Sequence, residues 1–144
     1  MRRSDLPFLA DLIAISLRWV TLLAISAWLG WVKQLSAGVV IVILVLAVWN
    51  LLLSILAVFN IRLKQHRLIN ILVDITASAC LFIFSGGPAG SLAWVGVLPV
   101  LTASIYYEWL GSLLSTLTVS ALQTIITFIA SNNINQVVLQ LVLN

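Results

Sequence analysis

The chain has 144 residues, of which 62% are hydrophobic and 8% charged, with seven Lys and Arg against four Asp and Glu. A soluble domain carries about 25% charged residues, so this composition excludes a water-soluble protein and leaves no room for a soluble catalytic domain. We interpret the net charge of +3 as the bias of Lys and Arg toward cytoplasmic loops, and we expect no binding to nucleic acid.

The apolar runs predict an all-α fold, a polytopic transmembrane helical bundle that forms a single domain over residues 1–144. A spanning helix needs about 20 apolar residues, and five such runs occupy most of the chain. The predicted spans are at about 17–32, 39–60, 68–84, 92–107 and 112–130. A polar turn at 131–136 follows, and 137–144 is predicted to be a partial or interfacial helix, or the first turns of a truncated sixth span.

Polar residues are spaced along the first two spans in a helical pattern. Asp11 and Arg18 are seven residues apart and share a face, which predicts either an amphipathic start near the headgroups or two hydrated residues at a helix end. In the second span Asn50 and Ser54 are one turn apart. A carboxamide in lipid needs hydrogen-bond partners, so we expect this face to pack on another helix.

The distribution of basic residues predicts the orientation. Lys33 alone lies on the proposed outer side, and the other six lie on the proposed inner side: Arg2, Arg3, Arg18, Arg62, Lys64 and Arg67. Short loops rich in Lys and Arg stay in the cytoplasm. The N-terminus and the loop at 61–67 are therefore predicted to be cytoplasmic, with the glycine-rich loop Gly86–Gly90 on the other side.

The third span contains one acid, Asp74. An acid within a span normally faces the bundle interior or pairs with a base. Arg67 on the same helix and Arg18 on the first are the candidate partners. We favour a structural ion pair or an interhelical hydrogen bond over a proton relay, because the sequence offers no second ionisable group at this depth.

The last two predicted spans differ in their polar content. Pro99 is expected to kink the fourth span. The segment Tyr106–Gly111 predicts an inner turn, where Glu108 is placed to pair with the basic loop. The fifth span has four polar residues on one face, which we expect to be turned away from lipid, either packed on a helix or lining a cavity: Thr116, Ser120, Gln123 and Thr127.

Catalytic and metal-binding patterns are absent from the sequence. It contains no GxxxxGK[ST], HExxH, CxxC or GxSxG motif. One histidine and one cysteine exclude the usual metal clusters. We therefore expect neither a resident metal nor enzymatic activity from this chain.

Several short motifs occur in a set order along the chain: Arg18-Trp19, Asn60 with Arg62, Asp74, Ser85-Gly86-Gly87, Val97-Leu98-Pro99-Val100-Leu101 and Gly111. This order resembles the membrane-spanning input region of bacterial sensor histidine kinases, of the redox-sensing and GAF-containing types, without the kinase domains. The resemblance covers nearly the whole chain. It implies a multi-pass module of the bacterial inner membrane that senses a membrane or redox cue, as a homodimer or with other membrane proteins.

The resemblance also suggests a ligand. In the redox-sensing kinases the outer loop has a glycine pair followed by Asn-Pro-Phe and is implicated in quinone sensing. Here Gly86 and Gly87 match, whereas Pro88-Ala89-Gly90 replaces the rest. Quinone is thus the cofactor implied by the resemblance, with Gly86, Gly87 and Pro88 as candidate contacts. The residues themselves identify no cofactor.

Two other functions fit the same sequence. The small size, the tryptophans and the aliphatic composition also suit an accessory subunit of a larger photosynthetic or respiratory membrane complex. Asp74, Pro99 and the polar face of the fifth span would suit a small transporter, although no inverted repeat is detectable.

Overall fold

The computed structural model describes residues 6–33, 35–59 and 66–143, and the side chains of 11–33, 35–59 and 66–132. Four helices account for most of these residues: α1 (Leu6–Val32), α2 (Ala37–Val58), α3 (His66–Phe84) and α4 (Val97–Leu143). Two short 3-10 turns, Gly87–Ala89 and Ala93–Gly96, connect α3 to α4. The described residues contain no strand, so the all-α prediction is confirmed. The predictions for Arg2, Arg3, Asn60, Arg62 and Lys64 concern positions outside these ranges.

Among the described residues, four helical segments are long and apolar enough to cross a membrane: Asp11–Val32, Ala37–Val58, His66–Phe84 and Ala93–Asn132. The predicted count of five is not matched. The reason is that the fourth and fifth predicted spans fall almost entirely within one apolar segment, Ala93–Asn132, in which α4 is interrupted at Tyr107 and Glu108.

Apolar side chains cover the outside of the bundle as well as its interior. In the most apolar part of α2 only 22% of the residues are buried. Large side chains such as Val45, Val48 and Ile55 are mainly exposed. Soluble monomers rarely expose apolar patches of this extent, and this surface agrees with helices that are long and apolar enough to cross a membrane.

The apolar core lies toward the end of the bundle where α3 connects to α4. Ser36 caps α2 at this end, because its hydroxyl oxygen accepts a hydrogen bond from the Val39 N–H at 3.3 Å. The core comprises residues from α1, α2, α3 and the connection between α3 and α4: Leu22, Ile25, Leu29, Val39, Leu46, Ala77, Leu81, Phe82, Leu92 and Val95. The buried polar residues are concentrated in the other half.

The helical geometry of α4 is broken at two consecutive residues. Tyr107 has φ −130° and ψ 16°, and Glu108 has φ 55° and ψ −140°. A positive φ is strained for a residue with a Cβ, and neither pair of angles continues an α-helix. This break lies within Tyr106–Gly111, the segment in which the sequence predicts a turn.

Residues on the two sides of this break pack against each other. A Cβ added to Gly111 would overlap the Ala103 carbonyl oxygen, although residues eight positions apart lie about 12 Å apart along a straight helix. The contacting pairs include Ala103 with Gly111, Gly96 with Val119 and Ala93 with Gln123. Their separations grow symmetrically about the break, so the second part of α4 runs back antiparallel to the first.

Two local predictions for α4 are wrong. Pro99 does not kink a span, because it lies in the first turn of α4, where a missing N–H leaves no hydrogen bond unmade. The polar turn predicted at 131–136 is also absent, since α4 continues as helix to Leu143. That segment contains neither Gly nor Pro, and the Ser131 hydroxyl donates to the Phe128 carbonyl at 2.9 Å on its own helix.

Candidate functional site: a buried polar cluster

The most strongly bonded polar contact in the described residues joins α1 to α3. Arg18 Nη2 and Nε donate to Asp74 Oδ2 at 2.7 and 3.1 Å. The two side chains are 3% and 0% exposed. Of the two partners proposed for Asp74, the structure thus selects Arg18, because Arg18 and Asp74 lie at the same level of two parallel helices.

Asn70 extends this contact to the other two helices. Its carbonyl oxygen accepts a hydrogen bond from Arg18 Nη2 at 3.1 Å. Its side-chain oxygen accepts from Trp49 Nε1 on α2 at 3.2 Å, and its Nδ2 donates to the Tyr106 hydroxyl on α4 at 3.3 Å. One turn of α3, from Asn70 to Asp74, therefore binds α1, α2 and α4 together.

Two more buried residues complete the group. Asn50 is fully buried and its Nδ2 donates to the Ile15 carbonyl of α1 at 3.2 Å. The Thr102 hydroxyl faces the Asp74 carboxylate without a hydrogen bond of standard geometry. We call the seven residues the polar cluster: Arg18, Trp49, Asn50, Asn70, Asp74, Thr102 and Tyr106.

A second group of charges lies at the end of the bundle where α3 begins. The His66 ring nitrogen Nε2 lies 3.1 and 3.2 Å from the two carboxylate oxygens of Asp11. Arg67 Nε lies 3.8 Å from Asp11, and its guanidinium sits 5.6 Å from the centre of the Tyr106 ring. Arg67 therefore does not pair with Asp74. It helps to connect the polar cluster to this more exposed group of charges, Asp11, His66 and Arg67, which we call the rim.

The other predicted polar residues lie apart from the cluster. Glu108 is exposed at the break in α4 and is not within salt-bridge distance of Arg67. The Gln123 Nε2 donates to the Ala93 carbonyl at 3.3 Å, which fixes the second part of α4 to the 3-10 turn that precedes this helix. Thr116 and Ser120, on the same face, are exposed. Together with Gln123 they line an open groove of about 300 Å³, which agrees with the second of the two alternatives for this face, the lining of a cavity.

The glycine-rich loop lies at the opposite end of α3 from the rim. Asp74 and Phe84 are ten positions apart on this helix, which corresponds to roughly 15 Å. Gly86 and Gly87 have positive φ, 103° and 65°, a conformation that glycine tolerates and other residues rarely adopt. Gly86 also lines an open surface groove of about 400 Å³ between the ends of α1, α2 and α3. Pro88 is exposed and does not line it.

The sequence analysis missed four members of the cluster: Trp49, Asn70, Thr102 and Tyr106. A signal for three of them was present in the spacing. Asn70 precedes Asp74 by four residues, and Thr102 precedes Tyr106 by four, so each pair shares a helix face. Polar residues repeated at this interval within an apolar span indicate a face that is turned to other helices.

The cluster combines a fixed charge pair with neutral hydrogen-bonding groups in the interior of a membrane bundle. It can hold four helices at one level and can respond to any change that displaces Arg18 from Asp74. Among the described residues no three His, Cys, Asp or Glu side chains are grouped as a metal site would require. Comparison of the chain with protein-family models, curated proteins and solved structures finds no match.

Proposed function

We propose that the chain is a non-catalytic membrane module of the sensor-kinase input type, which detects a membrane or redox cue and transmits it as helix movement. The observation that carries this proposal is the polar cluster. Its hydrogen bonds are directional and join all four helices within about one turn of α3. A displacement of one helix must therefore be accommodated by the others, which is the coupling that a transmitting bundle needs.

The proposal includes an orientation, with the N-terminus in the cytoplasm of a bacterium and the glycine-rich loop on the outer side. It is supported by five basic residues on the proposed inner side, since the sixth, Arg18, lies inside the bundle. The position of Arg67 at the end opposite Gly86 also supports it. Cysteine labelling of intact cells in a Cys80→Ser background tests it. His66→Cys should react only from the cytoplasm and Pro88→Cys only from the periplasm, and the reverse pattern would contradict the orientation.

We further propose that α4 crosses the membrane twice, which gives five crossings in total. The antiparallel packing of the two parts of α4 about Glu108 supports this number. In the same labelling assay, Glu108→Cys should react from the side of His66→Cys, and Asn132→Cys from the opposite side. Reaction of both positions from one side would leave α4 with no second crossing.

The transmitter role is tested on the complete product of the native gene. The reading frame around this chain is determined, and the product is purified in nanodiscs and incubated with labelled ATP. We expect a kinase in the same polypeptide or in a protein that co-purifies with it, and phosphorylation that changes in Asp74→Asn but not in the exposed control Thr118→Val. The absence of any associated kinase would refute the proposal.

The apolar surface favours a second candidate, an accessory subunit of a larger membrane complex. An apolar groove of about 420 Å³ runs between α2 and α3, lined by residues such as Val45, Leu72 and Cys80. A neighbouring protein or pigment would fit it as well as lipid does. Purification in mild detergent separates the two proposals, because a subunit leaves the membrane at fixed stoichiometry with a large complex, and a sensor module does not.

A further inference from the structure

The polar cluster contains four buried side-chain atoms that have no hydrogen-bond partner in the protein. They come one from each helix: Arg18 Nη1, Asn50 Oδ1, Asp74 Oδ1 and Thr102 Oγ1. None of these residues is more than 2% exposed. Unpaired polar atoms are costly in a protein interior and more so within a membrane, where lipid supplies no partner. Four of them in one cluster therefore require an explanation.

These atoms lie within about one helical turn of each other along the bundle. The guanidinium of Arg18 bonds both Asn70 and Asp74, which are one turn apart on α3. The Asn50 amide is held against the Ile15 carbonyl, less than one turn before Arg18 on α1. The Thr102 hydroxyl faces Asp74 from α4.

In the structure none of the four atoms makes a hydrogen bond of standard geometry to another of them, although two can donate. The free oxygens of Asn50 and Asp74 are both acceptors, so neither can bond the other. Arg18 Nη1 only donates, whereas the Thr102 hydroxyl can donate or accept. A molecule that both donates and accepts can join such a set, and buried water typically makes about three hydrogen bonds to groups of this kind.

We propose that these four atoms form a binding site for ordered water at the centre of the bundle. The site makes the Arg18–Asp74 pair part of a hydrated network instead of a dry ion pair. It also leaves Asp74 Oδ1 and Arg18 Nη1 as the positions where a change in the membrane can alter the pairing. This inference depends on the contacts within the cluster and not on the proposed sensor function.

A structure of the full chain in nanodiscs, at a resolution that shows water, tests the site directly. The expected result is a density peak within about 2.6–3.2 Å of at least two of the four atoms. If the side chains instead bond directly to each other and no peak lies between them, the proposal is overturned.

Stability measurements provide a second test. Thr102→Val keeps the shape of the side chain and removes the hydroxyl, so loss of the water contact should raise the unfolding equilibrium constant by about tenfold, the value for a hydrogen bond in a charged network. Thr102→Ser should retain most of the stability. The control is Thr116→Val, whose exposed hydroxyl bonds only to the Ser112 carbonyl of its own helix and should matter little.

The Thr102→Val effect shows whether the hydroxyl has a partner, and the density shows whether that partner is water. If the hydroxyl has no partner, the variant removes a buried, unpaired group and should be as stable as the wild type or more stable. Such a result would contradict the water site. A loss of stability in Thr102→Val with rescue by Thr102→Ser, together with the density peak, would establish it.

Discussion

Removal of the Asp74 carboxylate is expected to be the most damaging single change in the polar cluster. In Asp74→Ala the guanidinium of Arg18 stays buried, with its side chain 3% exposed, but loses its counter-charge. Truncating one partner of a buried ion pair costs about 3–5 kcal/mol, because the remaining charge is left uncompensated. Unfolded membrane helices also find polar partners, so we expect the lower end, about 3 kcal/mol.

The matched control is Asp11→Ala at the rim. Asp11 also contacts basic side chains, His66 and Arg67, but its side chain is 19% exposed and its distance to Arg67 is 3.8 Å. A partly exposed pair contributes about 0–1 kcal/mol. The free energy of unfolding of both variants is measured in mixed micelles by titration with a denaturing detergent, followed by tryptophan fluorescence. Trp49, which bonds Asn70, reports on the cluster.

The double variant Arg18→Met/Asp74→Leu, compared with the single variants Arg18→Met and Asp74→Leu, completes the test. An apolar pair of similar volume should be more stable than either single variant, because no buried charge is left unpaired. The reasoning fails if Asp74→Ala costs no more than Asp11→Ala. It also fails if the two single effects simply add in the double variant, since contacting residues should show a coupling energy.

Two further changes test the rest of the bundle. Gly111→Ala should destabilise the chain by about 1–3 kcal/mol, because its Cβ would overlap the Ala103 backbone. The control Gly30→Ala has open space around it and should be neutral or stabilising by up to about 1 kcal/mol. Equal effects of the two variants in thermal unfolding would contradict the reversal of α4. Tyr106→Phe removes the hydroxyl that accepts from Asn70 at 3.3 Å and should cost about 1 kcal/mol, and no measurable cost would show that α4 is not bonded to the cluster.

Composition and hydropathy were sufficient to predict the helical class, because runs of apolar residues of spanning length have few alternatives in a membrane. The turn near Glu108 was also predictable, since aromatic residues, an acid and a glycine interrupt an apolar run there. What could not be predicted was how this turn is built. Its two residues leave the helical region while the flanking residues remain helical.

The partner of Asp74 could be narrowed to two arginines but not chosen between them. Spacing along one helix favours Arg67, which is seven residues from Asp74. The choice of Arg18 depends on the register between α1 and α3, which is set by side-chain packing and not by either sequence alone. Arg67 instead takes a position over the Tyr106 ring, a contact that requires α4 to return beside α3.

The central claim is that Arg18 lies buried against Asp74 within the membrane bundle. The most direct measurement is the nitrogen-15 NMR signal of the Arg18 Nε–H in nanodiscs, assigned by its loss in Arg18→Lys. Because this N–H donates to Asp74 Oδ2 at 3.1 Å, its proton should exchange with water far more slowly than those of the other arginines, and Asp74→Asn should shift the signal. Exchange as fast as at the other arginines, with no shift in Asp74→Asn, would contradict the account.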